Sequence, residues 1–279
     1  MLVEIAGGWI AGSLALIADA GHMLTDAAAL LLAWLAARLA EQPAAPGRTY
    51  GHHRAQVLSA FVNALALFVV VAWIVYEAVQ RLAEPRPIAG GTMLAISIAG
   101  LAANLLVYRL LAHGSGHEHE HGHEPANINV KAARLHVLGD LLGSIGAAVA
   151  AIVILTTGWT PIDPLLSVLM AVLIVRSAWR LLRESTHILM EHTPEHVDLA
   201  VLRARLMSVV PGIRDVHDVH CWSLTSGQTM LSLHVTLGGD VDAGAALREA
   251  KRVLAEDFRV SHSALQIERG DCPDEACSL

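Results

Sequence analysis

Charge is scarce in this 279-residue chain: Asp, Glu, Lys and Arg together make up 16%, and aromatic residues only 4%. With 54% hydrophobic residues and a mean hydropathy of +0.50, that scarcity excludes an ordinary soluble domain, and the length excludes a single anchor. Basic residues are outnumbered, the net charge being −7, so the basic surface that nucleic-acid binding needs is missing. Cysteine is nearly absent. Cys221, Cys272 and Cys277 are odd in number and late in the chain, which argues against a disulfide framework and for a reducing cytosol or a metal role. The opening MLVEIAGGWIAGS lacks the basic start of a signal peptide, so no cleavage and export is expected. What the chain has in excess is histidine, sixteen in all.

Apolar runs of spanning length, about 20 residues or more, occupy residues 14–40, 57–82, 92–111, 130–156 and 164–182. Ahead of them, residues 2–11 are apolar but about half as long as a span requires. They run into Gly12-Ser13, where Ser13 suits the N-cap of the next helix. The segment is either the second half of a first helix or an interfacial piece. The expected membrane part is therefore an α-helical bundle of six helices with the first one truncated.

Loop charge sets the orientation. The linkers 38–54 and 109–134 carry several Arg or Lys, and Arg176, Arg180 and Arg183 close the last span, whereas residues 158–163 carry none. The positive-inside rule then places those basic loops and the C-terminus in the cytoplasm. Arg81 and Arg86 run against that rule in a loop that should be external. Trp159 beside a helix end fits an aromatic belt.

Beyond about residue 191 the composition becomes that of a soluble domain. Residues 194–210 show a helical pattern, 212–223 and 229–237 strands around the turn Thr225-Ser226-Gly227, 242–258 a second helix and 264–268 a last strand. The order αββαβ describes a small α+β, ferredoxin-like unit. In LSLHVTL the alternation puts His234 on the face opposite Leu233 and Val235. The domain boundaries expected are 1–190 for the transmembrane part, with a His-rich cytosolic loop at 113–124, and 191–279 for a cytosolic metal-binding part with a short Cys-containing tail.

The ionisable residues inside the spans carry the chemistry. In ADAGHMLTDAAALLLAWLAA, His22 and Asp26 are four apart and share one helix face, and His136 and Asp140 repeat the spacing in HVLGD. A charged side chain at the bilayer centre costs at least about 2.5 to 3.5 kcal/mol, so such residues face a partner, a cavity or an ion. Two imidazoles and two carboxylates match the number and type of ligands in a tetrahedral zinc site. At 1.5 Å per residue, Asp26 and Asp140 each lie roughly 18 to 20 Å in from opposite sides of a core about 30 Å thick, so the pairs meet near its middle. The bland alternative is two separate polar pairs gluing helices together. Matching spacing and depth favour the metal site. Asp19, nearer the outer helix end, suits the N-terminal dipole.

A catalytic zinc wants an open position, and the chain has no HExxH or nucleophile elbow. An enzyme is therefore not expected. A midplane site suits a transporter.

The stretches GSLALIADAGHMLTDAAAL, YGHHRAQVLSAFVNAL, LHVLGDLLGSIG, DPLLSVLMAVLIVRSAWRLLRES and VHDVHCWSLTSGQTMLSLHV resemble the cation diffusion facilitator family of zinc transporters, in its bacterial zinc-efflux and animal branch, over nearly the whole chain. The resemblance implies six transmembrane helices, a cytosolic αββαβ domain, a homodimer in the cell membrane, and exchange of cytosolic Zn2+ for external protons. It assigns the intramembrane site to His22, Asp26, His136 and Asp140. A cytosolic site falls on His217, His234 and Glu268, with Cys272 and Cys277 resembling extra ligands found in some members. Four-residue spacing in a tail with Pro273 leaves those cysteines open between ligation and a flexible tail. His220 is expected to be a surface histidine. Some members carry a further site in the loop between the second and third helices. Here His52 matches one position, but Arg48 and Ala45 stand where ligands would be, so that site is expected to be absent.

The insert HGSGHEHEHGHE, residues 113–124, has five histidines among glutamates and no means of building a core. It is either a zinc-gathering cytoplasmic loop or a plain linker, and composition favours the first. The expected function is a zinc/proton antiporter exporting Zn2+, with other divalent transition metals of similar ligand preference, from the cytoplasm. Its partners are divalent metal ions, protons, membrane lipid and a second copy, with no nucleic acid. The alternative is a membrane metal sensor with a structural intramembrane metal, against which stands the lack of an output module after the small domain.

Overall fold

The computed structural model describes residues 2–113 and 126–270, and the side chains of 2–110 and 137–270. Among the described residues six helices come first: α1 (Leu2–Ala11), α2 (Leu14–Ala40), α3 (Arg54–Ala83), α4 (Gly90–His113), α5 (Ala126–Thr157) and α6 (Ile162–Leu189). They are followed by α7 (Leu199–Val209), β1 (Ile213–Thr225), β2 (Gln228–Leu237), α8 (Ala243–Phe258) and β3 (Val260–Glu268). Among the described residues, the helices at 14–40, 54–83, 90–110, 137–157 and 162–189 are long and apolar enough to cross a membrane. The ten-residue α1 is a helix too short for that. By contacts the chain divides into residues 1–31 with 62–180, and residues 32–61 with 181–279.

In the first of these units the helices pack through small side chains. Ala11, Ala15, Ala147, Ala150 and Ala151 are buried with Leu16, Met93 and Ile154, joining α1, α2, α4 and α5. Ala18, Ala171 and Ala178 do the same with Leu67, Val71 and Ile74, joining α2, α3 and α6. Alanine lets helix backbones approach closely where lipid supplies no hydrophobic driving force. Large apolar side chains such as Val69, Leu106 and Leu173 point outward and are exposed, as a lipid-facing surface requires.

The start of α2 shows how a helix end is satisfied where water is scarce. Gly12 turns the chain at φ 69°, a conformation open to glycine. The Ser13 hydroxyl accepts from the Leu16 amide at 3.2 Å and donates to Asp163 Oδ1 at 2.5 Å. Asp163, on α6 and fully buried, also accepts from the amides of Leu14 at 2.7 Å and Ala15 at 3.2 Å. One carboxylate from another helix thus meets the orphan donors and the positive end of the α2 dipole. The position assigned from sequence to Asp19 belongs to Asp163. Arg81 donates to the Gly12 carbonyl at 2.5 Å and to Glu77 Oε1 at 2.9 Å, with Asp163 Oδ2 at 4.0 Å, while Arg86 donates to Glu77 Oε1 at 3.0 Å. The two arginines that break the loop-charge pattern are therefore fixed by an acid and a helix C-terminus.

The C-terminal domain follows the expected order αββαβ, with two boundary shifts. α7 begins at Leu199 because Asp198 caps it, accepting from the amides of Ala200 and Val201 at 2.8 and 3.2 Å. β3 begins at Val260, since Arg259 takes the left-handed conformation that ends α8. The sheet order is β1-β2-β3, with β1 and β2 antiparallel and β2 and β3 parallel across α8. Leu202 and Leu206 of α7, Ala250, Val253 and Leu254 of α8, and Leu231, Leu233 and Val235 of β2 form its core. One face of the sheet is thereby covered, leaving the other for polar residues.

Candidate metal centres

On that other face, antiparallel pairing sets His217 of β1 directly opposite His234 of β2. Parallel pairing sets Gln266 beside His234 and Glu268 beside Thr236. Period-two alternation keeps all of these on the side away from Leu233 and Val235, which are 1% and 2% exposed. The imidazoles stand edge to face, centroids 5.4 Å apart. His217 Nε2 lies 3.3 Å from Glu268 Oε2, and His234 Nδ1 lies 3.1 Å from Glu268 Oε1. One ligand atom from each of the three residues falls within 4.8 Å of the others.

The His217–Glu268 pair fits an ion better than a hydrogen bond. His217 Nε2 and Glu268 Oε2 are buried, face each other, and make no hydrogen bond among the described residues. Ligands about 2.0 to 2.1 Å from a tetrahedral zinc stand about 3.3 Å from one another, close to the spacing observed. Two imidazole nitrogens and a carboxylate are also the donor chemistry that zinc accepts.

The structure adds residues that the sequence pattern hides. Asp215 Oδ2 sits 3.0 Å from His217 Nδ1, and Gln266 Nε2 donates to Glu268 Oε1 at 3.0 Å. Asp218 lies between two histidines, 3.0 Å from His220 Nε2 and 3.4 Å from His234 Nε2. Strict alternation would turn Asp218 toward the core. Instead β1 bulges between His217 and His220, with Asp218 at φ 49°, so Val216 and Val219 both face inward and Asp218 faces out. The three-residue spacing of those valines in VHDVH is the sequence signal of the bulge. Carboxylates and amides behind ligating groups fix tautomer and orientation. His220 is exposed and Cys221 is buried on the core side, where burial raises its thiol to about 11. Cys272, Cys277 and residues 114–124 lie outside the described residues.

In the membrane part, His22 and Asp26 meet on α2, His22 Nε2 lying 3.5 Å from Asp26 Oδ2. α2 begins at Leu14 and α5 at Ala126. By helical rise, Asp26 is about 18 Å and Asp140 about 21 Å from those ends. Asp140 is buried at 9% exposure. His136 precedes it by four residues on α5, and its side chain lies outside the described residues. In the loop between α2 and α3, the Arg48 guanidinium contacts His52 Nε2. A cation on that nitrogen does not favour a metal there.

Apolar helices long enough to cross a membrane, carrying His22, Asp26 and the buried Asp140, followed by a small α+β domain with a His–His–Glu cluster, define a multi-pass membrane protein with residues able to ligate a metal in two places. The cation efflux transmembrane domain matches residues 1–190, and the cation efflux protein cytoplasmic domain matches residues 194–270. The chain belongs to the cation efflux, or cation diffusion facilitator, family, as a multi-pass membrane protein with a cytoplasmic C-terminal domain. It is similar to the zinc transporter ZitB of Escherichia coli (strain K12), with 47% identity over 279 residues covering 100% of this chain and 86% of that protein. A cadmium, cobalt and zinc/H(+)-K(+) antiporter of Bacillus subtilis (strain 168) is 39% identical over 274 residues, covering 96% and 84%. Among solved structures, the metal-bound C-terminal domain of the CzcD transporter from Cupriavidus metallidurans is 37% identical. That match covers 26% of this chain and 99% of that one, with a TM-score of 0.24.

Proposed function

We propose that this protein exports Zn2+ from the cytoplasm in exchange for protons, through a mid-membrane site made of His22, Asp26, His136 and Asp140. The observation that carries the reading is that a likeness to a zinc transporter extends over all 279 residues. The His22–Asp26 pair on α2 and the buried Asp140 on α5 supply the ionisable groups such a transporter needs inside the membrane. Four ligands of this kind hold a dication that has left water. A ligating imidazole must be neutral, so zinc and protons compete for it, and that competition provides the coupling.

In this reading residues 1–190 carry the ion, and residues 191–279 form a cytosolic metal-binding part that works as a homodimer. His217, His234 and Glu268 hold zinc there, held in turn by Asp215, Asp218 and Gln266. The exposed apolar helix faces contact lipid. The test is zinc flux by the full chain in proteoliposomes, with and without a pH gradient. Flux that follows the gradient is expected. Flux indifferent to it removes proton exchange, and the absence of flux removes the transport reading.

A further inference from the structure

Two acids in the membrane part have no role in the transport site proposed above. Glu4 on α1 and Asp19 on α2 are 6% and 5% exposed. Glu4 lies against Gly100 of α4, beside Ser144 of α5, and Asp19 lies against Gly143 of α5. Glu4 Oε1 lies 2.6 Å from the point where a side chain on Gly100 would begin, and the Ser144 hydroxyl lies 3.6 Å from that point. Asp19 Oδ1 lies 3.2 Å from where a side chain on Gly143 would begin. Two glycines thus keep room for two carboxylates. Gly143 and Ser144 follow Asp140 by three and four residues, one helical turn toward the external end of α5. On α2, Asp19 precedes His22 by three residues and Asp26 by seven, on the same face.

Asp19 Oδ1 is buried and has no hydrogen-bond partner among the described residues. A carboxylate oxygen in that condition inside a membrane is costly. The dipole at the start of α2 does not explain it, because Asp163 already occupies that end.

We propose that Glu4 and Asp19 form a second, outer station for the transported divalent cation, one helical turn toward the external face from Asp140. This rests on the transport reading above. The chemistry suits an exit step. The station offers oxygen only, from two carboxylates and the Ser144 hydroxyl, to which Asn104 Nδ2 donates at 3.3 Å. Zinc prefers imidazole to an all-oxygen set. The station therefore holds the ion more weakly than the His–Asp site and passes it to water. Conduction through successive sites needs binding weak enough for the ion to leave.

The test uses the full chain in proteoliposomes, with zinc supplied at the cytoplasmic face. Glu4→Gln and Asp19→Asn are each expected to lower maximal zinc flux about tenfold. The half-saturating zinc concentration should stay within about twofold, because loading occurs at the inner site. The double variant should be no worse than the poorer single one, since both residues serve one station. The exchange Glu4→Asp with Asp19→Glu restores flux. Gly100→Ala displaces the Glu4 carboxylate without removing its charge, and serves if an amide variant fails to fold. A further variant, Glu4→Cys with Asp19→Cys, converts the station into a cadmium trap. Cadmium added at the external face should block it at a concentration at least about tenfold below that needed for the unmodified chain. Normal maximal flux in both amide variants overturns the station, and so does a double-cysteine variant no more sensitive to cadmium. Normal flux in Asp26→Asn overturns the transport site instead, and the two failures are therefore distinct.

Discussion

The two candidate metal centres use the same donors and are assembled in opposite ways. His22 and Asp26 are neighbours on one helix, brought to 3.5 Å by a four-residue spacing alone. His217, His234 and Glu268 come from three strands, and their meeting depends on one antiparallel register, one parallel register and the crossover helix α8. The first arrangement leaves each half of a site free to move with its helix. Under the proposed function, a site divided between α2 and α5 can open and close as the helices shift. The second is tied into a sheet with a packed core beneath it, which suits a site that holds its ion. Both sets offer imidazole and carboxylate donors of the kind zinc accepts, and under the proposed function the way the ligands are joined distinguishes carriage from storage.

The largest expected effect breaks the helical centre. Asp26→Asn and Asp140→Asn each remove a carboxylate from the proposed dication site in the membrane, and zinc flux in proteoliposomes should fall by at least about a hundredfold. The purified variants should still elute as folded protein. Substantial flux in either would remove that residue from the site.

Breaking the strand centre should leave the carrier running. Glu268→Gln takes away the carboxylate that lies against both histidines, and zinc affinity of the cytosolic site should fall about a hundredfold. Maximal flux should change far less than in Asp26→Asn. Titration calorimetry and flux on the same preparation check both halves. If Glu268→Gln stops transport as completely as Asp26→Asn, the distinction between carriage and storage is wrong.

A milder change sharpens the proton side of the comparison. His22→Asp keeps a ligand at the same spacing but replaces an imidazole with an oxygen donor that titrates in the acid range. Cadmium flux relative to zinc should rise about tenfold, because a carboxylate can bind a larger ion through both oxygens. The pH profile should move toward acid. Flux of both metals over external pH 5 to 8 measures this, and an unchanged ratio and profile would exclude His22 from ligation.

Deleting residues 117–123 should raise the half-saturating zinc concentration about threefold with the maximal rate preserved, since a loop that gathers ions acts before the transport step. Unchanged zinc dependence would make the segment a linker. Cys221 offers the smallest perturbation. Burial raises its thiol to about 11, so the reactive thiolate is suppressed in the fold and would increase only as pH rises toward that value. The folded domain should resist alkylation at neutral pH and react once denaturant parts β1 from β2. Rapid labelling of the native domain would show that the sheet beneath the histidines is not closed.

The helical spans, the αββαβ order and the His22–Asp26 pairing are legible in the order of residues, because each rests on local periodicity. A spacing of four makes a helical pair whatever surrounds it, and alternation in LSLHVTL already separates His234 from Leu233. Which acid caps α2 depends on how distant helices pack. Asp163 is about 150 residues away from Ser13, and no local pattern distinguishes it from Asp19. Tertiary structure also turned Asp218 outward through a bulge that breaks the period-two rule. It gathered Glu4 and Asp19 beside two glycines on other helices. Contacts between elements depend on register, crossover and close approach of backbones, and these are set by packing over the whole chain, where the spacing within a single element has no say.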